Sequence, residues 1–160
     1  MTVALIKTFT AYHLDTIDRV WDSIKHITEE QFHADDAYSR GSIRNLMVHL
    51  ANTDSNWLAG LKNIPESEDP PRRKYEDYPD RTRARELWNQ TAKELADYVE
   101  TLTPAELNEN PLDIPHPRWQ ILLHVINHGT DHCSTVLQRL HELGAPTFEQ
   151  DFIYWLSSRK

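Results

Sequence analysis

The residues best suited to chemistry in this sequence are three histidines at four-residue intervals, His124, His128 and His132. They lie in the segment 119–143, whose apolar residues recur with the period of a long helix. Side chains four residues apart are neighbours on a helix, so two of these imidazoles can bind one metal ion. The segment therefore predicts a metal-binding helix that needs a third ligand from elsewhere in the chain.

The angular positions of the three histidines on this helix are different. At about 100° per residue, His128 and His132 fall together at one edge of the apolar arc, and His124 lies further round, beside Asp131. We therefore expect His128 and His132 to face a neighbouring helix and His124 to lie at the rim.

The best source of a third ligand is His49, at the flank of the apolar stripe of another predicted helix. Helical bundles commonly build metal sites from inward side chains on facing helices. His49, His128 and His132 would form a three-imidazole site with open coordination positions, the pattern of catalytic sites. Imidazole ligands suit Zn, Ni, Cu or Fe. The alternative is that these histidines are polar residues at a helix boundary, satisfied by hydrogen bonds.

An open three-imidazole site is consistent with two kinds of chemistry. A zinc-like ion lowers the pKa of a bound water to about 7, or it holds and deprotonates a thiol substrate. No resident general base is evident, because Gly129 stands where the HExxH motif carries its glutamate. Catalytic residues are therefore left unassigned. Asp54, Asn56 and Asp131 are candidate hydrogen-bond partners for the ligands.

Four long amphipathic segments must position these side chains. Their apolar residues recur at three- and four-residue steps within residues 8–27, 42–61, 80–102 and 119–143. Ser42 is a good N-cap, Gly144 ends the last segment, and Thr147 is predicted to cap a short final helix. No segment has the pattern of a strand. We predict an all-α fold, a four-helix bundle with a short C-terminal helix, formed by residues 1–160 as one domain.

Composition excludes several classes of function. The formal net charge of −8 argues against nucleic-acid binding. No apolar run approaches the roughly 20 residues of a membrane helix, and the first residues are too polar for a secretory signal. Cys133 is the only cysteine, so no disulfide forms within the chain, and it points into the apolar arc as a small buried residue. We expect a cytoplasmic protein.

The residues around the histidines resemble the DinB/YfiT-like superfamily over essentially the whole chain. The resemblance is carried by LMVHLANTDSNWL at 46–58, LLHVINHGTDHCSTVLQRLHELG at 122–144 and DFIYWL at 151–156. The family pattern has one histidine on the second helix and an NHxxxH pair on the fourth. Its three metal ligands match His49, His128 and His132. Relatives often carry Arg-Gly-Gln after the last ligand, where this chain has residues 133–135, Cys-Ser-Thr.

The resemblance implies a homodimeric four-helix bundle with a divalent metal, typically Zn or Ni. Related proteins include bacillithiol S-transferases, mycothiol-dependent maleylpyruvate isomerase and proposed metal-dependent hydrolases. We therefore expect a metal-dependent enzyme that transfers a low-molecular-weight thiol to an electrophile. One alternative is metal-dependent hydrolysis of a small substrate. The other is a non-catalytic dimeric helical module in which the metal is structural.

Overall fold

The computed structural model describes residues 1–36, 40–65 and 73–159, and within these ranges it contains helices and no strand. The α-helices are α1 Val3–Ile24, α2 Glu29–His33, α3 Ile43–Leu61, α4 Arg81–Thr101, α5 Pro104–Asn108, α6 Arg118–Glu142 and α7 Phe152–Ser157. A 3₁₀ turn, Tyr75–Asp77, precedes α4. Parts of the predicted loops between α2 and α3 and between α3 and α4 lie outside the described residues.

Capping side chains set the starts of three of the long helices. The side chains of Thr2, Ser42 and Asp80 each accept a backbone N–H in the first turn of α1, α3 and α4. The prediction that the first helix begins near Thr8 was wrong, because the cap at Thr2 begins α1 at Val3. The predicted end of α6 is confirmed, with Gly144 at a φ of 76° just beyond it.

The predicted cap of the last helix was wrong. Residues 147–150 are not helical, and α7 begins after Asp151, whose side chain caps nothing. The hydroxyl of Tyr12 donates a hydrogen bond to the carbonyl of Gln150 at 2.5 Å. This bond ties the segment before α7 to α1, and the tertiary contact outweighs the local preference of Thr147.

The long helices α1, α3, α4 and α6 form a four-helix bundle, as predicted. Helix α1 packs against α4 and α6, and α3 packs against the same two helices, so α1 and α3 occupy opposite corners. Helix α7 lies on α1, where the rings of Phe152 and Phe9 stack with centroids 4.5 Å apart. Over the described residues, no helix is both long and apolar enough to span a membrane.

Buried apolar side chains form two main clusters, one in each half of the bundle. The first includes Val20, Met47, Trp88 and Val136, and the second includes Ile6, Leu58, Leu95 and Leu122. Between the two clusters, each long helix carries at least one buried polar or small residue. One from each helix, His13, Asp54, Thr91 and Gly129, are together called the central layer below. Burying one large apolar side chain stabilises a fold by about 1.5–3 kcal/mol, so the clusters stabilise the bundle and the central layer interrupts them.

Candidate metal centre

Three imidazoles from two neighbouring helices meet on one side of the bundle. Helix α3 carries His49, and α6 carries His128 and His132 one turn apart. The Nε2 atom of His128 lies 3.2 Å from Nε2 of His49 and 3.1 Å from Nε2 of His132. All three side chains are partly exposed, so the cluster is open to solvent. The structure thus brings together the three histidines selected from the sequence.

The geometry of this cluster fits a single divalent metal ion. Nitrogen ligands about 2.0–2.1 Å from a tetrahedral ion lie about 3.3 Å from one another, close to both Nε2 separations. One ligand atom from each histidine lies within 4.8 Å of the other two, and no other such group of three occurs in the described ranges. Converging lone pairs repel one another unless a proton or a cation lies among them. The three residues could therefore hold a metal, and imidazole suits zinc or nickel.

The protonation of the cluster also favours metal binding. Burial lowers the pKa of His128 to about 4, and repulsion from a protonated His132 adds to this shift. Burial likewise lowers the pKa of His132. Both imidazoles are therefore neutral near pH 7, which is the form that binds a metal.

Arg40 brings a positive charge to the edge of the cluster. Its Nη2 atom lies 3.4 Å from Nε2 of His49, and its charge adds to the burial that lowers the pKa of His132. The side chain is exposed, so its donors can reach a bound molecule. A guanidinium in this position can bind the carboxylate or phosphate group of a substrate.

Two open clefts adjoin the histidines. A cleft of about 490 Å³ lies beside His49, lined by Asn52, Arg73 and Tyr75 among others. A second of about 430 Å³ lies beside His128, lined by His124, Asn127, Thr130, Asp131 and Ser134. The Asn52 amide donates a hydrogen bond to the carbonyl of Arg73 at 3.0 Å, which holds the segment before α4 beside α3. Either cleft has the volume of a small-molecule site, which is typically about 300–1,000 Å³.

His124 lies outside the cluster, as its position on the helix predicted. Its side chain is exposed, and its ring meets the edge of Trp57 with centroids 5.1 Å apart. Its ring centroid is 6.0 Å from that of His128. His124 therefore lines the approach to the cluster and does not belong to it.

A buried histidine–carboxylate pair was missed by the sequence analysis. His13 of α1 and Asp54 of α3 meet with Nε2 2.7 Å from Oδ2, and their side chains are 1% and 0% exposed. The ring of His13 also lies edge-on to Trp88. The only signal in the sequence is a polar residue at a core position of each apolar stripe. Both residues belong to the central layer.

Gly129 allows this pair to approach the helix that carries His128. A Cβ at position 129 would lie 2.4 Å from Cε1 and Nδ1 of His13, a distance that no relaxed structure tolerates. The His13 ring therefore packs directly on the backbone of α6. Gly129, which stands where an HExxH motif would carry glutamate, thus has a packing role.

Asp54 is the buried member of the three predicted hydrogen-bond partners. Asn56 and Asp131 are exposed, whereas Asp54 is 1% exposed. The Oδ1 atom of Asp54 is buried without a hydrogen-bond partner, and the same holds for Nδ1 of His128 within the described ranges.

Cys133 is buried in the first apolar cluster, as predicted. Burial raises the pKa of its thiol far above the usual value, so the thiolate does not form near neutral pH. Cys133 is therefore neither a nucleophile nor a metal ligand of the cluster, although it follows His132 in the sequence.

The fold and the cluster define a class of protein, an all-helical bundle with a candidate metal site on its second and fourth long helices. The sequence model of the DinB family matches residues 1–158 of the chain. The chain therefore belongs to the DinB family, which confirms the resemblance. No curated protein matches the chain. Family membership and the three-histidine cluster together fit a metal-binding protein of this family.

Proposed function

We propose that this protein is a divalent-metal-dependent enzyme that transfers a low-molecular-weight thiol to an electrophilic small molecule. The observation that carries the proposal is the convergence of three Nε2 atoms, from His49, His128 and His132, beside open clefts. Three protein ligands leave coordination positions for a substrate, as in catalytic sites. Zinc or nickel is the ion that we propose, because imidazole is a good ligand for both.

The residues of the chain and the ion have separate tasks in this reaction. The bound ion supplies a Lewis acid that favours the thiolate form of a thiol at neutral pH. The neutral imidazoles hold the ion, and Arg40 binds an anionic group of the thiol. The thiol releases its proton to solvent, the sulfur forms a bond to an electrophilic carbon, and the leaving group departs with the electron pair of its broken bond to that carbon.

The charge of the larger cleft supports an anionic substrate. Among the described residues, the charged side chains that line it are Arg73, Lys74 and Glu76, and Arg40 lies at its His49 end. This local excess of positive charge contrasts with the net charge of −8 of the chain. Opposite charge attracts a ligand into a cleft and orients it there. We therefore expect thiols that carry a carboxylate to react faster than neutral thiols.

The test compares His128→Ala with a matched control, His124→Ala, on the same helix. We expect about one metal ion per chain in the untagged parent protein and in the control, and loss of the ion in His128→Ala. Elemental analysis measures the metal. Conjugation of glutathione or 2-mercaptoethanol to an activated aryl halide then measures the reaction, with glutathione as the anionic thiol and 2-mercaptoethanol as the neutral one. The proposal fails if the parent protein takes up no metal after reconstitution, or if His128→Ala conjugates thiols at the parent rate.

Hydrolysis of a small substrate is the second candidate function. The partial exposure of the cluster favours it, because water reaches the same coordination positions as a thiol. Under this alternative, a screen of activated esters and amides shows turnover that needs metal and does not respond to added thiol.

We also propose that the chain forms a homodimer. Helix α7 exposes Ile153 and Tyr154, which are 64% and 57% accessible, and an interface over them would remove apolar surface from water. Sedimentation velocity measures the oligomeric state. The non-catalytic module would be a dimer that neither conjugates thiols nor hydrolyses substrates. Its metal would raise the melting temperature and have no other effect.

A further inference from the structure

We propose that Asp54, held in place by His13, is a positioning residue that accepts a hydrogen bond from Nδ1 of His128 and orients this ring towards the metal. The inference rests on the metal site of the proposed function and is independent of which reaction the site performs. It assigns a role to the buried pair, which binds no substrate.

A metal-binding His128 must adopt one particular tautomer. Its Nε2 atom faces Nε2 of both His49 and His132, so Nε2 must carry the lone pair that binds the ion. In a neutral imidazole the hydrogen then lies on the other nitrogen, Nδ1. That atom is buried and has no hydrogen-bond partner among the described residues. A buried donor of this kind requires an acceptor or a water molecule.

Asp54 carries an acceptor atom that no donor uses among the described residues. The Oδ2 atom of Asp54 is bonded to His13, and Oδ1 is buried without a donor. An ionised carboxylate accepts hydrogen bonds on both oxygens. Helices α3 and α6 are neighbours, so the unused acceptor of one and the unused donor of the other are on facing elements. The proposal requires that a buried water or a rotation of the His128 ring completes the bond.

The ring of His13 links Asp54 to the part of α6 beside His128. It packs against α6 at Gly129, the residue next to His128. Its Nε2 atom lies 2.7 Å from Oδ2 of Asp54. One imidazole therefore separates the Asp54 carboxylate from this turn of α6.

Such a contact has a defined effect on a metal site. A carboxylate that accepts the second N–H of a ligating histidine fixes the ring and its tautomer and makes the ligand more basic. His13 fixes the carboxylate in turn, because its ring is confined between Asp54, Trp88 and the backbone of α6.

The experiment measures zinc affinity by chelator competition at pH 7.5 in Asp54→Asn and in a matched control, Asp131→Asn. The asparagine keeps the shape of Asp54 but loses the charge and one of the two acceptor oxygens, so it can accept a hydrogen bond from His13 or from His128 but not from both. We expect Asp54→Asn to weaken zinc binding by about 10–100-fold. The control also removes a carboxylate whose charge acts on His128 and His132, but this side chain is exposed. We expect its zinc affinity to stay close to that of the parent protein.

A second measurement uses the zinc-loaded parent protein with ¹⁵N-labelled histidine. The proton on Nδ1 of His128 should give a slowly exchanging NMR signal, assigned by its absence in His128→Ala. This readout decides the matter if Asp54→Asn does not fold, and failure to find the signal overturns the proposal.

The outcomes separate this inference from the proposed function. Equal zinc affinity in Asp54→Asn and the parent protein overturns the role of Asp54 and leaves the metal site intact. Equal weakening in Asp54→Asn and Asp131→Asn also overturns it, because the effect is then one of net charge. A parent protein that binds no zinc or nickel overturns both the inference and the proposed function.

Discussion

The bundle contains two adjacent histidine sites that differ in burial and in composition. The cluster of His49, His128 and His132 is partly exposed and contains imidazoles alone, whereas His13 is buried against the carboxylate of Asp54. The converging lone pairs of these imidazoles repel one another, and a metal ion would supply a cation that attracts them. In the buried pair the imidazole has a carboxylate partner within the protein, although Oδ1 of Asp54 has no donor among the described residues. The comparison teaches that the neighbours of a histidine, more than its spacing, distinguish a ligand from a structural residue.

The largest expected effect comes from removing the carboxylate of the buried pair. Asp54→Leu leaves the buried Nε2 of His13 without a partner, and we expect a loss of about 2–4 kcal/mol in the free energy of unfolding. The matched change in the open cluster, His49→Leu, should alter the stability of metal-free protein by less than about 1 kcal/mol. Denaturant titration in EDTA measures both. Similar losses in the two variants would contradict the division into a structural and a functional site.

The second prediction tests the contact between Gly129 and the ring of His13, where the two sites adjoin. In Gly129→Ala the new Cβ meets the ring of His13, and we expect a loss of about 1–3 kcal/mol in unfolding free energy, despite a gain of about 1 kcal/mol in helix propensity. The loss should disappear when the same change is made in a His13→Ala background. This double-mutant cycle isolates the contact. An unchanged loss in that background would show that contact with the His13 ring is not the reason why alanine at position 129 is destabilising.

The pH dependence of the metal-free protein is the third prediction. The pKa of His128 is lowered to about 4 in the folded state, against an ordinary value of about 6.5. Between these values the unfolded chain binds the proton more readily, so the contribution of His128 to stability is full above about pH 6.5 and is lost as the pH falls towards 4. The ring is partly exposed, so we expect about 1 kcal/mol or less.

Thermal unfolding in EDTA between pH 7.5 and 5 measures this contribution. His128→Gln should show a shallower fall in melting temperature than the parent protein over that range. Parallel curves for the two proteins would mean that the folded state does not lower the pKa of His128.

The smallest expected effect concerns Cys133, which adjoins His132 in the sequence but lies in the interior. Because its thiol is buried and has a raised pKa, it should react with a thiol reagent only after unfolding. Cys133→Ala should leave the metal content unchanged. Rapid labelling of the native protein, or loss of metal in this variant, would place Cys133 in the open cluster.

The open cluster could be predicted because its signals are periodic. His128 and His132 recur at one helical turn, and His49 stands at the flank of a regular apolar stripe. The long helices could be predicted for the same reason. The starts of α1 and α7 each depend on a single contact, which the periodicity of apolar residues does not reveal. These contacts are the cap at Thr2 and the hydrogen bond from Tyr12.

The buried pair could not be predicted from periodicity. His13 and Asp54 are 41 residues apart, and they lie on helices at opposite corners of the bundle. Their contact crosses the centre of the bundle and depends on the space left by Gly129 on a third helix. A glycine within a long helix and a polar residue in each of two apolar stripes are weak signals when read separately.

The spacing of the histidines on α6 has a consequence for the longitudinal register of that helix. A slide by one turn, about 5.4 Å, would bring His124 and His128 to the positions of His128 and His132. Two imidazoles of α6 would therefore face His49 in either register. The same slide would place Val125 where Gly129 now lies against His13, and its side chain would collide with the ring. The residue without a side chain thus selects which two of three equivalent histidines face α3.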